Sequence, residues 1–379
     1  KFTHVSFTPD FSSYALTRDK EICKMAEPLL TETLNDICLL SWEGLLKADA
    51  TPYLKFSSFY ENALKTPVAS PIYYKDLYLK FMDKKKIGRM FKKIMMKDYE
   101  VEDDGFAGRA NCLKMLSESL KHLKSYEKNR NMLSYTTSRI SAHLNIGCVS
   151  CRELYNMFRD NREYMKQLYW RDFYVCIVAF YPGGNQFNHI DESFDKIKWA
   201  SDAPKTSKKY KIMYDYWKKM MNGQTGFLII DAAMNELKQT GFLHGRARMI
   251  LGTFWIKYLL INPFDKKLGS QTGYSKMLID AIGPSQNKMN HQWLTELDYG
   301  GRRFGKSRLA GRKMNIENGM IRKFDPDCQY IKKWLPHLEK VPCKDLFKWS
   351  NKTSEKYNNI HPPPIFDQDQ KYNEWENIA

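Results

Sequence analysis

Gln167, Trp170, Arg171 and Tyr174 stand at positions i, i+3, i+4 and i+7 of a stretch otherwise filled by apolar residues, among them Leu168, Val175, Ile177 and Val178. On an α-helix these four positions share a face. An amide, an indole, a guanidinium and a phenol therefore line up on a greasy helix. Such a stripe suits a flat, polar ligand, because the indole offers a stacking floor while the amide and guanidinium offer hydrogen bonds and positive charge. A half-buried Trp with an Arg snorkelling beside it produces the same pattern, so the flanking residues have to decide.

Upstream lie Tyr126 and Arg130, four apart, then Thr137-Ser138-Arg139-Ile140-Ser141-Ala142-His143-Leu144. Hydroxyls at a predicted helix start sit where unpaired backbone N–H groups already favour an anion, although a Thr-Ser pair there also serves as a plain N-cap. Downstream lie Gly223-Gln224-Thr225-Gly226, Asp231-Ala232-Ala233-Met234 and Thr240-Gly241-Phe242-Leu243-His244-Gly245-Arg246-Ala247-Arg248-Met249. His244 and Arg248 share a helical face and can point into a bundle, where a buried Arg needs a carboxylate. In this order and spacing the blocks resemble the FAD-binding half of the photolyase and cryptochrome family, from about Tyr126 to Pro336, with weaker echoes toward the N-terminus.

The resemblance implies a mainly α fold: an all-helical FAD-binding domain preceded by a partial α/β domain, a truncated doubly wound sheet. It implies FAD as cofactor, with Tyr126, Thr137, Ser138, Arg139, Ile140 and Ser141 about the flavin and its phosphates, and Arg248 with Asp280 near the ring. Asn287 matches the amide beside flavin N5, where a neutral donor stabilises reduced forms. Damaged DNA is the implied partner. A pyrimidine dimer must be flipped from the duplex into a pocket and stacked on an aromatic floor. Trp170 is that floor, Gln167 a contact to the base edge, Arg171 and Arg130 phosphate contacts, Met249 a soft contact to the dimer, and Gly245 and Arg246 further DNA-binding positions. Met249, where the branch acting on (6-4) lesions usually has His, favours cyclobutane dimers. The activity implied is light-driven dimer repair; the rival is a non-repairing, cryptochrome-like or degenerate FAD- and DNA-binding protein.

Several positions depart from the family pattern. Gly245 replaces the Asn used beside the lesion, Phe242 replaces a Trp, and Gln167 replaces the Glu of bacterial dimer-repair enzymes. Pro263 stands where the middle Trp of the electron relay is expected, His291-Gln292-Trp293 where Trp-Gln-Trp is expected, and Ile282 at a second acidic position. Trp199 alone remains of the relay, so photoreduction of oxidised flavin should be crippled unless Tyr258, Trp255 or Trp293 substitutes. An aromatic DNA-facing loop is replaced by Arg302, Arg303, Arg308, Arg312 and Lys313, which keeps phosphate attraction and loses shape.

The elements that must position these residues follow from the rest of the chain. Residues 1 to 60 read as the remnant of an α/β domain: Val5-Ser6-Phe7 is a strand, and Phe7 to Ile22 and Thr51 to Tyr60 echo the middle and end of the family's N-terminal domain. The strands that should precede Val5 are missing. This predicts a sheet truncated or completed by a separate chain, and it puts the family's antenna pigment in doubt. Residues 61 to 104 read as a linker with the basic segment Lys84 to Ile94, a solvated interdomain helix in preference to a contact with phosphate or an acidic membrane. Residues 105 to 340 read as helical, and 341 to 379, with Pro362-Pro363-Pro364, as an extended tail.

Composition agrees with this class: 379 residues, 43% hydrophobic and 14% aromatic, describe a globular, aromatic-rich chain. A formal charge of +17 permits nucleic acid as a partner. No run of about eighteen apolar residues is present, so a soluble protein is expected; cysteine usage points to an intracellular, reducing compartment, and, a sheet-completing chain aside, a monomer is expected. Eight cysteines in a chain of this length are not a disulfide scaffold. Cys148 and Cys151 have redox or zinc spacing but lack a second ligand pair, so no metal is expected.

Overall fold

A computed structural model of the chain describes residues 3–10, 13–34, 37–71, 107–180, 197–262, 268 and 314–378. The strands His4–Phe7 and Leu30–Thr33 pair in parallel, His4 opposite Leu30 and Phe7 opposite Thr33, with the helix Ser13–Ala26 between them in sequence. A parallel pair needs such a crossover. These two strands are the whole sheet among the described residues, and Leu30–Thr33 is exposed throughout. The rest of the described chain is mainly helical, as expected of an all-helical domain after a partial α/β unit.

The helix Arg162–Phe180 organises the first core. From Leu168 to Ile177 it is apolar on most sides, and a helix of that kind is stable only when surrounded. The N-terminal segment supplies part of the surround. Asp172, wholly buried, accepts the backbone N–H groups of Leu39 and Leu40 at 3.0 Å each. Segment 37–40 forms no regular ladder, so its buried donors find a carboxylate instead. Arg171 donates to the Ile37 carbonyl, and Cys176 Sγ lies 3.8 Å from the Leu45 carbonyl.

The helix Phe56–Ala63 then buries Phe59, Tyr60 and Ala63 in the same core. This moves the expected boundary at residue 60: the helix runs on to Ala63, and its buried face packs into the core around Arg162–Phe180. The basic segment 84–94 and the turn 100–105 lie outside the described residues.

The second core surrounds the helix Leu228–Thr240. Ser207 caps the preceding helix Lys208–Asn222, and Gly223 and Gly241, both at φ +66°, end the two helices in the left-handed conformation. Helix Gly245–Thr253 runs directly into a π-helical turn, Phe254–Tyr258, all five residues of which are buried. The C-terminal segment closes this core. Leu346, Trp349, Tyr372 and Trp375 all belong to it, and Gln368–Ile378 is a helix.

The expected extended tail over 341–379 is therefore corrected: Trp375 is 0% exposed. The segment's polar composition conceals a few large apolar side chains, widely spaced, that do the docking. Its proline run lies against Gly226, where a Cβ would fall 2.1 Å from the Pro363 carbonyl carbon. Only glycine, at φ +74°, admits that approach. No described helix is long and apolar enough to cross a membrane.

Candidate flavin and DNA site

The turn Tyr126–Asn131 is where the sequence-predicted residues converge. Tyr126, Thr136, Thr137 and Ser138 line a concavity together with Ser119, His122, Leu123, Tyr135, Phe158 and Tyr164. Tyr164, one turn before Leu168 on the central helix, donates its hydroxyl to Ser138 Oγ at 3.1 Å and stacks on Phe158. Burial pushes the Tyr126 hydroxyl up to about 12, against the lowering effect of Arg130, so it stays a neutral hydrogen-bonding group at neutral pH. Ser141 opens the short helix Ser141–Asn145, and Ile140 before it is buried.

Arg139, between Ser138 and Ile140, adopts φ +54° and lays its guanidinium over the Phe242 ring, 4.2 Å from the centroid. Its Nε is buried without a hydrogen-bond partner in the protein. Two hydroxyls and an unsatisfied guanidinium N–H form a donor set that fits the pyrophosphate of FAD.

The second group of residues hangs from the same turn. Arg130 pairs with Glu163 at 2.9 Å, and the Gln167 amide donates to the Glu163 carbonyl at 3.2 Å. Arg246 Nε donates to Asn131 Oδ1 at 2.8 Å, while its Nη1 lies 3.0 Å from Met249 Sδ and its guanidinium approaches the Phe324 ring. The helices Arg162–Phe180 and Gly245–Thr253 thus meet across residues 130 and 131. Gly245 is exposed at the start of its helix, and a Cβ there would meet only Arg248 Nη2 at 3.7 Å.

Trp170 is half-buried, with Phe56 stacked on it at 3.5 Å and 6° and Tyr174 at 5.5 Å and 21°. Arg171 turns the other way, to the Ile37 carbonyl and Cys151 Sγ (3.2 Å). The sequence reading gives it to phosphate; the fold uses it to hold the N-terminal segment.

Sequence reasoning missed Asn131, Glu163, Tyr164 and Phe56. Glu163 and Gln167 are four apart on one helix, a spacing that could have flagged the first of these partners. Asn131 and Phe56 gave no signal, since they meet the site only through tertiary packing. Trp199 is buried in the second core, 5.9 Å from Trp375. Trp255 and Tyr258 are fully buried there, Tyr258 6.1 Å from Tyr372. Asp280, Ile282, Asn287, the residues Pro263, His291, Gln292 and Trp293, and the basic residues 302–313 lie outside the described residues. Cys151 donates to the Ile37 carbonyl at 3.2 Å, and no group of metal ligands occurs among the described residues.

His244 caps the Gly245–Thr253 helix. Its Nδ1 accepts the Arg246 N–H at 3.1 Å, which places the ring proton on Nε2, a buried atom without a hydrogen-bond partner in the protein. Burial first, then the charges of Arg248 and Arg246, push its pKa down to about 4. Because the unfolded ring titrates near 6.5, the unfolded state binds more protons between these values. Stability is complete above about pH 6.5 and declines as pH falls toward 4. Urea unfolding across this range should show the decline, with His244→Gln flattening it; an unchanged slope in the variant assigns the effect elsewhere.

Comparison with known proteins gives the arrangement a lineage. The family model for the FAD binding domain of DNA photolyase matches residues 164–378. A deoxyribodipyrimidine photo-lyase of Alkalihalophilus pseudofirmus is 30% identical over 357 residues, covering 88% of this chain and 69% of that protein. That of Escherichia coli is 26% identical over 254 residues, 63% of this chain and 48% of the relative. Several such relatives are thus spanned over less than half their length. Among solved structures, a class III photolyase from Agrobacterium tumefaciens superposes with a TM-score of 0.71 at 22% identity, covering 98% of this chain and 78% of the other. A Synechocystis cryptochrome superposes with a TM-score of 0.74 at 20% identity, covering 100% and 79%. The chain therefore belongs to the photolyase and cryptochrome family and carries that family's FAD-binding domain.

Proposed function

We propose that the protein repairs cyclobutane pyrimidine dimers in DNA in a light-driven reaction. The observation that carries this reading is the convergence on one turn of the hydroxyl-lined concavity and the Arg130–Glu163–Gln167 cluster, on the helix that bears Trp170. FAD held by Thr137, Ser138 and Arg139 would supply light-driven electron transfer to and from the dimer, a cycle with no net redox change.

The chain's own work is positioning and exclusion of water. Thr137, Ser138 and Arg139 hold the phosphates. Trp170 stacks a flipped base, and Gln167, whose amide N–H is committed to the Glu163 carbonyl, keeps its oxygen to accept from a base edge. Arg130, neutralised in part by Glu163, and Arg246 keep positive charge near the phosphates that flank the lesion. Residues 105–340 with the docked C-terminal segment form the catalytic unit.

The test is reversal of a thymine dimer in an oligonucleotide under blue light, by protein loaded with FAD and chemically reduced beforehand. Repair supports the reading. Bound flavin without repair supports the non-repairing, cryptochrome-like alternative, which Gly245 favours because it removes a donor beside the lesion.

That donor can be restored. Gly245 is exposed, lies outside the left-handed region, and leaves room for a Cβ. Gly245→Asn should fold normally and bind dimer-containing DNA about three- to tenfold more tightly, the worth of one added hydrogen bond. Competition binding against undamaged duplex checks it; equal tightening on both DNAs would show a non-specific contact.

A further inference from the structure

We propose that Phe56, from the N-terminal unit, is a positioning residue for the DNA site: its ring is the under-layer that holds the Trp170 indole flat for stacking. The proposal rests on the reading of Trp170 as the lesion floor. The two rings lie 3.5 Å apart and 6° from parallel, the closest aromatic pair among the described residues. Phe56 is itself wedged, 5.5 Å from Tyr60 in a stack and 5.8 Å from Phe173 edge-on. Phe173 also meets Trp170 edge-on, 5.8 Å away.

An indole so boxed has no freedom to tilt about χ2. A base that stacks on it then does not have to pay the ordering entropy of the platform. The box is not a local accident of one helix, because Phe56 comes from a segment more than a hundred residues upstream. That segment is anchored to the central helix by the Asp172 carboxylate on Leu39 and Leu40 and by Arg171 on Ile37. The residues next to Trp170 in sequence therefore fasten the segment whose ring supports Trp170. On this view the N-terminal unit has a role apart from any antenna pigment: it braces the floor.

The experiment measures binding of the full-length, FAD-loaded protein to a thymine-dimer oligonucleotide and to its undamaged counterpart. Variants are Phe56→Leu, Phe56→Tyr, Trp170→Ala and the Phe56→Leu/Trp170→Ala double. Leu keeps apolar volume and loses the flat ring; thermal melts confirm folding, and near-UV circular dichroism reports the coupled rings. Phe56→Leu should weaken dimer binding about three- to tenfold, in keeping with the worth of an aromatic pair, leave undamaged DNA within twofold, and diminish the near-UV signal. Phe56→Tyr should restore both. The double variant should be no weaker than Trp170→Ala, since a brace matters only while the floor is present.

Dimer binding by Phe56→Leu within twofold of the parent, alongside a large loss in Trp170→Ala, overturns the brace and leaves the floor standing. Tighter dimer binding by Phe56→Leu also overturns it, by showing that the ring occupies the seat of the base. If Trp170→Ala itself leaves dimer binding unchanged, the floor reading fails and the brace falls with it.

Discussion

Trp170→Ala is expected to cost about 1–3 kcal/mol of affinity for dimer-containing DNA, roughly 5- to 150-fold, while undamaged duplex binding stays nearly level. On the proposed function, undamaged duplex would be held through phosphates by the basic surface of a chain with charge +17, an attraction that does not involve an indole. A flipped dimer leaves its stacked neighbours and needs a replacement π-surface, the role proposed for Trp170. Fluorescence-anisotropy titrations on matched damaged and undamaged oligonucleotides at a single salt concentration make the comparison. Equal losses on both would show that the substitution damages the fold or a general contact, and would remove Trp170 from the lesion site.

A larger effect, on stability, is expected at Asp231. Its carboxylate is fully buried and accepts from Thr225 N (2.8 Å), Thr225 Oγ1 (2.7 Å), Gly226 N (2.8 Å) and His361 Nε2 (2.9 Å). His361 Nδ1 in turn meets His337 Nε2 at 3.0 Å. These bonds join the turn before the Leu228–Thr240 helix to the proline run of the C-terminal segment, whose Ile365 N–H also reaches the Thr225 carbonyl.

Asp231→Ala strands several buried donors at once, and removal of one partner from a buried charged network costs about 3–5 kcal/mol. Urea unfolding should report that loss. Limited proteolysis should open first near residues 362–364, because those residues lose their seat before the helical cores melt. A variant within 1 kcal/mol of the parent would show that the network is dispensable. Asp231→Asn, which keeps one acceptor and introduces a clashing donor, should fall between the two.

The legibility of this protein in its sequence divides along a physical line. Contacts between residues close in the chain are periodic, so they can be read: the stripe of Gln167, Trp170, Arg171 and Tyr174, the hydroxyl segment 137–141, and a helical chain after a fragment of parallel sheet. The grouping of Tyr126 with Thr137 and Ser138 was legible too, through resemblance of ordered blocks.

Which way each side chain turns was not legible, because it depends on partners brought by folding. Arg171 and Trp170 are neighbours on one helix, yet one faces the Ile37 carbonyl and the other the Phe56 ring; nothing in their spacing separates these fates. The C-terminal segment shows the same limit. Its polar composition reads as a solvated tail, but burial depends on where a few large apolar groups can go. Tertiary structure gives Trp375 a place beside Trp199 and gives the proline run the one glycine, Gly226, that lets it close. The sequence alone determined the helices, the family and the chemical types gathered on one turn. The fold decided which of those groups remain available to a ligand and which hold the protein together, since availability is set by the contacts that compete for each side chain.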